Sequence, residues 1–122
     1  MAIKVGINGF GRIGRLTLRA AYQDKDIEFV QINDPAGNAE ALAHLLKYDS
    51  VHGIWSNEVD HNKSAIIIDG HSINVTQHTR IVETDWSHCD LVIEASGKMN
   101  NKAALNAYLE QGVKKVVVTA PV

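Results

Sequence analysis

Three glycines spaced as G-x-G-x-x-G lie in the stretch VGINGFGRIGR, at Gly9, Gly11 and Gly14. On its own this spacing is weak, because any glycine-bearing turn can match it. Context makes it specific: an apolar strand precedes it, a helical stretch follows it, and an acid, Asp34, lies about 20 residues past Gly14 at the end of the next strand. Each part has a physical job. The first glycine permits a tight strand-to-helix turn, the second lets a pyrophosphate approach a backbone without a Cβ, and the third lets the helix pack closely on the strand. The helix start offers N–H groups and the positive end of its dipole to the phosphates. Asp34 can accept hydrogen bonds from a ribose 2′-OH. A carboxylate there repels a 2′-phosphate, and the PAGN that follows supplies no Arg or Lys to neutralise one. NAD is therefore favoured over NADP.

Alternating elements must position this loop. IKVGIN (3–8) reads as a short buried strand. RLTLRAAYQ has helical spacing, with Ile13, Leu16, Ala20 and Ala21 on one face. IEFVQIND (27–34) is a second β-rich run, and PAGN is a loop. AEALAHLLKY (39–48) predicts a helix with Leu42, Leu45 and Leu46 on its apolar face. The region from Ile54 to Asn74 is polar and short-stranded, and AIIIDGHSINV predicts a hairpin turning at Asp69-Gly70. IVETDW is ambiguous. CDLVIEASG (89–97) is a third buried strand. NKAALNAYLEQG predicts a helix with Ala104, Leu105, Tyr108 and Leu109 inward and Gly112 as its C′ residue. KKVVVTAP is a further strand whose valines look buried. Strands alternating with helices argue for an α/β fold, a doubly wound parallel sheet covered on both faces.

In such sheets a ligand lies beyond the carboxyl ends of the strands. EASGKM begins where the third strand ends, so Ser96 and Gly97 can line the ligand. Thr119, at the end of the last strand, falls on the same edge.

Other candidates for chemistry are weaker. Cys89 follows His88, but neighbours on an extended strand point to opposite faces, so the pair makes a poor nucleophile–base dyad. The six histidines show no H-E-x-x-H or Cys-x-x-Cys spacing, and no metal site is expected. Asp49, Ser50 and His52 are close in sequence, which is no evidence of triad geometry. Trp55, Trp86 and Tyr48 are too scattered for a base-stacking platform.

The 122 residues fit one domain. A net charge of −2 gives no broad attraction for nucleic acid or anionic membrane. No apolar run of about 18 residues exists to span a bilayer. The N-terminus has too short an apolar stretch for a signal peptide. One cysteine excludes an internal disulfide and suits the cytoplasm.

INGFGRIGR, LLKYDSVHG, VIEASGK and VVVTAP occur in this order, and together they resemble glyceraldehyde-3-phosphate dehydrogenase over essentially the whole chain. QINDPAGNAEALAHLL, TDWSHCD, EASGKM and VVVTAPV look like the variant of that enzyme associated with arsenic resistance. The resemblance implies a Rossmann-type NAD-binding domain over residues 1–122, followed by a catalytic domain. It implies a glycolytic, phosphorylating oxidation of glyceraldehyde 3-phosphate by NAD through a cysteine thioester, with arsenate replacing phosphate in the arsenic-linked variant. It also implies a cytoplasmic homo-tetramer when full length. The loop residues Asn8, Gly9, Phe10, Gly11, Arg12, Ile13 and Gly14 border the cofactor, with the backbone of Arg12 and Ile13 at the pyrophosphate. Asp34 matches the adenosine-ribose acid and Asn33 precedes it. Ser96 stands where the family commonly has Thr, beside Gly97, and Thr119 matches a Ser/Thr near the nicotinamide. One departure concerns adenine: where the family often has ERDP, this chain has QHTRIV, which puts Thr79 at the position of the bordering Arg.

The family's nucleophilic cysteine and histidine base match nothing here, so the resemblance assigns no catalytic residue to the chain. It leads us to expect that the chain is a piece cut from a longer enzyme. Such a piece would be inactive alone and truncated before the last strand of its sheet, with an open strand edge inviting another chain. The alternatives are a stand-alone NAD-binding or sensor module, or an erythrose-4-phosphate dehydrogenase on the same fold.

Overall fold

The first strand, β1 (Ile3–Asn8), is apolar at Ile3, Val5 and Ile7 and loses contact with solvent from Val5 onward. It is an interior strand of the sheet in a computed structural model that describes residues 2–49, 53–96 and 102–119. α1 (Arg12–Ala21) follows directly, then β2 (Ile27–Asn33) and α2 (Ala39–Lys47). A two-residue pair, β3 (Tyr48–Asp49) and β4 (Gly53–Ile54), leads to β5 (Val59–His61), β6 (Ala65–Ile68) and β7 (His71–Thr76). IVETDW resolves into a single 3-10 turn at Ile81–Glu83. β8 (Leu91–Glu94), α3 (Lys102–Glu110) and β9 (Lys115–Val118) complete the order.

Seven strands form one sheet in the order β5-β6-β7-β2-β1-β8-β9. The run β7-β2-β1-β8-β9 is parallel throughout. β6 is antiparallel to both its neighbours. The fold is thus α/β with a mostly parallel, Rossmann-like sheet. The expected hairpin joins β6 to β7 through Asp69 (φ 50°) and Gly70 (φ 86°). Positive φ at both turn residues gives the twist a two-residue hairpin needs.

The strands present alternate residues to two cores. Val5, Ile7, Phe29 and Ile32 pack with Leu18 of α1 and with Leu42, Ala43 and Leu46 of α2. On the other face Val92 packs with Trp86, Cys89, Val113 and Tyr108 of α3. Gly6 lies opposite Val92 on that second face. A Cβ on Gly6 would come within 2.8 Å of both Cys89 Sγ and the Trp86 ring. The missing side chain is what lets the fully buried indole lie on the central strand.

Helix ends are fixed by named partners. Asn38 Oδ1 accepts from the Ala41 N–H at 2.9 Å and caps the start of α2. At its other end the Arg19 guanidinium donates to the carbonyls of Leu46 (2.6 Å) and Lys47 (3.1 Å), which the helix itself leaves unpaired. Gly112 (φ 101°) ends α3 as its sequence context implies, and its N–H donates to the Leu109 carbonyl at 3.0 Å.

The buried stripe of each helix is narrower than its expected face. Ile13, Leu45 and Leu109 are exposed at 49, 41 and 49%. The buried stripe of α1 is Gly14 and Leu18, with Ala21 partly buried. Gly14 brings that helix so close to β1 that the residue one place earlier, about 100° round the helix, faces outward. Ala104 lies outside the described side chains. The valines of β9 also differ from expectation: Val116 is half-buried, whereas Val117 and Val118 are 43 and 38% exposed. Among the described residues β9 pairs only with β8 and forms an edge of the sheet. No helix among the described residues is long and apolar enough to cross a membrane.

Candidate functional site

β1 ends at Asn8, and the chain turns at Gly9 with φ 94°, a backbone conformation that side chains with a Cβ rarely adopt. The Gly9 N–H donates to the Asn33 carbonyl at 2.7 Å, and the Ala95 N–H donates to the Asn8 carbonyl at 2.7 Å. The turn is therefore tied to β2 on one side and to the end of β8 on the other. A Cβ on Gly9 would sit 2.5 Å from the Ser96 backbone nitrogen, and one on Gly14 would sit 2.4 Å from the Gly9 carbonyl. Both glycines are demanded by the protein's own packing.

Gly11 is different. It has φ −75°, which any residue adopts, and a Cβ there meets nothing within 4 Å. It stands at the N-cap of α1, where no side chain caps the helix and no acid lies in the first turn. The first helical bond runs from the Arg15 N–H to the Gly11 carbonyl at 3.0 Å. An exposed helix start with no negative side chain of its own suits an anion.

Asp34, at the carboxyl end of β2, faces this turn. Its Oδ2 accepts from the Phe10 N–H at 2.7 Å and its Oδ1 from the Ala36 N–H at 2.8 Å. A carboxylate has about four acceptor positions, so each oxygen keeps capacity for a sugar hydroxyl. The turn and its acid thus form a single unit, locked by a direct hydrogen bond. This donor and acceptor set fits a dinucleotide: an open, uncapped helix start for the diphosphate, and a partly exposed carboxylate for the adenosine ribose.

The other expected residues divide into two groups. Asn8, Phe10 and Asn33 are 3, 1 and 3% exposed, so their side chains belong to the interior and only their backbone can meet a ligand. Arg12 and Ile13 are exposed on the first turn of α1. Ser96 and Thr119 lie at the ends of β8 and β9, and the Thr119 N–H donates to the Glu94 carbonyl at 3.0 Å. Thr79 is exposed in the loop after β7, and its hydroxyl donates to Glu83 Oε1 at 3.4 Å. Gly97 lies outside the described residues, as do Ser50 and His52.

A seam of buried polar side chains runs beneath the carboxyl ends of the strands, and the sequence did not single it out as a unit. Glu94, only 1% exposed, is its anchor. Its Oε1 accepts from Asn8 Nδ2 at 2.9 Å and from the Tyr108 hydroxyl. Its Oε2 accepts from the Ser96 N–H at 3.0 Å and from the Ser96 hydroxyl. Asn8 Oδ1 in turn accepts from Asn33 Nδ2 at 2.9 Å. Asn33 then grips the backbone of His78 from both sides: its Nδ2 donates to the His78 carbonyl and its Oδ1 accepts the His78 N–H, each at 2.9 Å. Thr76 and Thr84 hydroxyls complete the acceptor load on Asn33. Burial, with the neighbouring Glu94 adding to it, pushes the Tyr108 hydroxyl above its usual range, so it stays a donor. The available signal was an acid inside the apolar run LVIEA, since a fully buried Glu is rare unless paired.

Cys89 is 2% exposed and packs against Trp86 in the second core. Burial, followed by the charges of Asp90 and Asp85, pushes its thiol up to about 12. Cys89 and His88 sit in a turn ahead of β8, not on a strand as expected, and His88 is exposed. Neither feature makes a nucleophile. Among the described residues no cluster of His, Cys, Asp or Glu can hold a metal ion.

Residues 3–102 match the family described as glyceraldehyde 3-phosphate dehydrogenase, NAD binding domain. The whole chain is 48% identical to glyceraldehyde-3-phosphate dehydrogenase 3 of Nostoc sp., covering 37% of that protein. It is 47% identical over 99% of its length to the glyceraldehyde-3-phosphate dehydrogenase of Wickerhamomyces ciferrii, again covering 37% of the relative. It is 44% identical over 98% of its length to the cytosolic enzyme of Chlamydomonas reinhardtii, covering 36%. The chain thus spans a little over a third of the length of these relatives. With its mostly parallel sheet, its glycine turn and its locked acid, the chain belongs to the glyceraldehyde 3-phosphate dehydrogenase family, as the NAD-binding domain.

Proposed function

We propose that this domain holds NAD for the phosphorylating oxidation of glyceraldehyde 3-phosphate, in a cytoplasmic enzyme that works as a homo-tetramer. The observation that carries the reading is the glycine turn locked to Asp34 in a chain 48% identical to a named dehydrogenase. The diphosphate rests against the backbone of Gly11, Arg12 and Ile13, where exposed N–H groups and the helix dipole complement its charge. Asp34 takes the hydroxyls of the adenosine ribose and disfavours a 2′-phosphate, so NAD is used and not NADP. Thr79 borders the adenine through its backbone. Ser96 and Gly97 line the cofactor, and Thr119 borders its nicotinamide end, which supplies a hydride acceptor when bound.

The bond-making residues, a cysteine nucleophile and a histidine base, are supplied from outside these 122 residues. Cys89 is excluded from that role by its burial and its raised thiol pKa. Phosphate is the acyl acceptor we favour, because the resemblance that runs over essentially the whole chain implies the phosphorylating reaction. Arsenate in its place defines the arsenic-linked form. The test is absorbance of NADH formed by the full-length protein. We expect turnover with glyceraldehyde 3-phosphate and NAD in the presence of phosphate, and much slower turnover with NADP. Turnover with arsenate but not phosphate would assign the arsenic-linked form. Turnover only with erythrose 4-phosphate would reassign the substrate, and NAD binding without any turnover would leave a binding module.

A further inference from the structure

The buried seam under the glycine turn contains a carboxyl group that is only 1% exposed. We infer that Glu94 is a positioning residue for the cofactor, acting through Ser96 and Asn8 on the two walls of the turn. The inference rests on the reading that the dinucleotide occupies that turn.

Glu94 is the last residue of β8 and lies in register with Asn8, the last residue of β1. All four contacts on its carboxylate come from donors: Asn8 Nδ2 and the Tyr108 hydroxyl on one oxygen, the Ser96 N–H and hydroxyl on the other. A buried carboxylate is costly to desolvate, and an apolar side chain of similar size is often as good or better for stability. What the carboxylate provides that an apolar group does not is direction. One oxygen holds the side chain of the residue that immediately precedes Gly9. The other holds Ser96, whose backbone is so close to Gly9 that a Cβ there would come within 2.5 Å of its nitrogen. A change at Glu94 therefore reaches the turn from both sides without removing any atom that faces the ligand. The Glu94 backbone carbonyl also takes the Thr119 N–H at 3.0 Å, which ties the end of β9 to the same point.

The experiment compares Glu94→Gln with wild type in the natural full-length protein. Gln keeps the volume but places an NH2 against one N–H and one hydroxyl; the hydroxyl can turn to accept from it, whereas the N–H that shared that oxygen, from Asn8 Nδ2 or the Ser96 backbone, loses its acceptor. The expected result is an NAD Kd raised about tenfold, the size of one lost hydrogen bond to a charged group. KM for NAD should rise in step, while kcat at saturating NAD stays within about threefold. Ser96→Ala should also weaken NAD binding, and the part of that effect carried through Glu94 should be lost in the Glu94→Gln background, so the two losses should be less than additive. Ile68→Val, a core truncation on β6, three strands away from β1, should lower the melting temperature with less than about a twofold change in NAD Kd. If Glu94→Gln does not fold, Tyr108→Phe, which removes a partner of both Glu94 and Asn8, should raise the NAD Kd where Ile68→Val does not, and an unchanged Kd in both overturns the inference. The inference is overturned if folded Glu94→Gln binds NAD as wild type does, or if the Ser96→Ala effect is undiminished beside it. Failure of the wild-type protein to bind NAD would instead remove the reading of the site.

Discussion

Gly11→Ala separates a glycine the protein needs from a glycine its ligand needs. A Cβ at Gly14 would meet the Gly9 carbonyl at 2.4 Å, and one at Gly9 would collide with Ser96, so either change damages the fold before any ligand is added. At Gly11 the Cβ enters open space and φ is −75°. Alanine reduces the entropy of the unfolded chain, a gain of about 0.4–1 kcal/mol. It is also a poorer N-cap than glycine, a loss of about 0.5–1 kcal/mol. The two nearly cancel, so stability should stay within about 1 kcal/mol of wild type. Binding should not be spared, because a methyl group would stand where a diphosphate must approach the helix start. We expect the NAD Kd to rise by about tenfold or more, equivalent to about 1.4 kcal/mol. The assay pairs calorimetric titration of NAD with urea denaturation, reading the midpoint at constant m. Unchanged NAD affinity in a stable Gly11→Ala protein would refute the reasoning, since it would mean that the diphosphate does not lie against this backbone.

Gly6→Ala should destabilise by about 2 kcal/mol, the middle of the range for overpacking, because its Cβ meets Cys89 and the fully buried Trp86 at 2.8 Å. Adding Trp86→Phe should recover part of that loss, so denaturation of the double variant will show coupling where additive losses would contradict the contact. Asp34→Asn removes the negative charge while leaving an acceptor for Phe10 or Ala36, and it should weaken NAD about tenfold while narrowing the NAD-to-NADP preference; an unchanged preference would detach Asp34 from the ribose. Cys89 should resist iodoacetamide in native protein at pH 8 and react on unfolding. Its folded pKa, about 12, stands above the ordinary value of 9.0, so its contribution to stability is whole below pH 9 and is lost as pH rises from 9 toward 12. Cys89→Ala should flatten that alkaline loss in pH-dependent denaturation.

The glycine turn and Asp34 were legible because the signal is local: a strand, three spaced glycines, a helix and one acid. The hairpin was legible for the same reason, since Asp69-Gly70 states its own turn geometry. The buried seam was not, because its members are far apart in sequence, with Asn8 meeting Glu94 across 86 positions and Tyr108 across 100. Asn8 and Asn33 were read as cofactor neighbours, yet their side chains serve the interior and leave only backbone to a ligand. Helix faces were misread where apolar residues outnumber the buried stripe. Leu45 and Leu109 fit a 3.6-residue period well enough, but short helices of nine residues bury only a narrow contact line. The valines of β9 carry a strand signal that says nothing about how well the strand is covered.

A structure of the full-length protein with NAD bound tests the central claim most directly. The account predicts diphosphate oxygens within hydrogen-bond distance of the N–H groups at the start of α1, and an adenosine ribose hydroxyl on an Asp34 oxygen while Phe10 still donates to that carboxylate. A dinucleotide lying away from Gly9–Gly14, or a ribose that leaves Asp34 untouched, would contradict it.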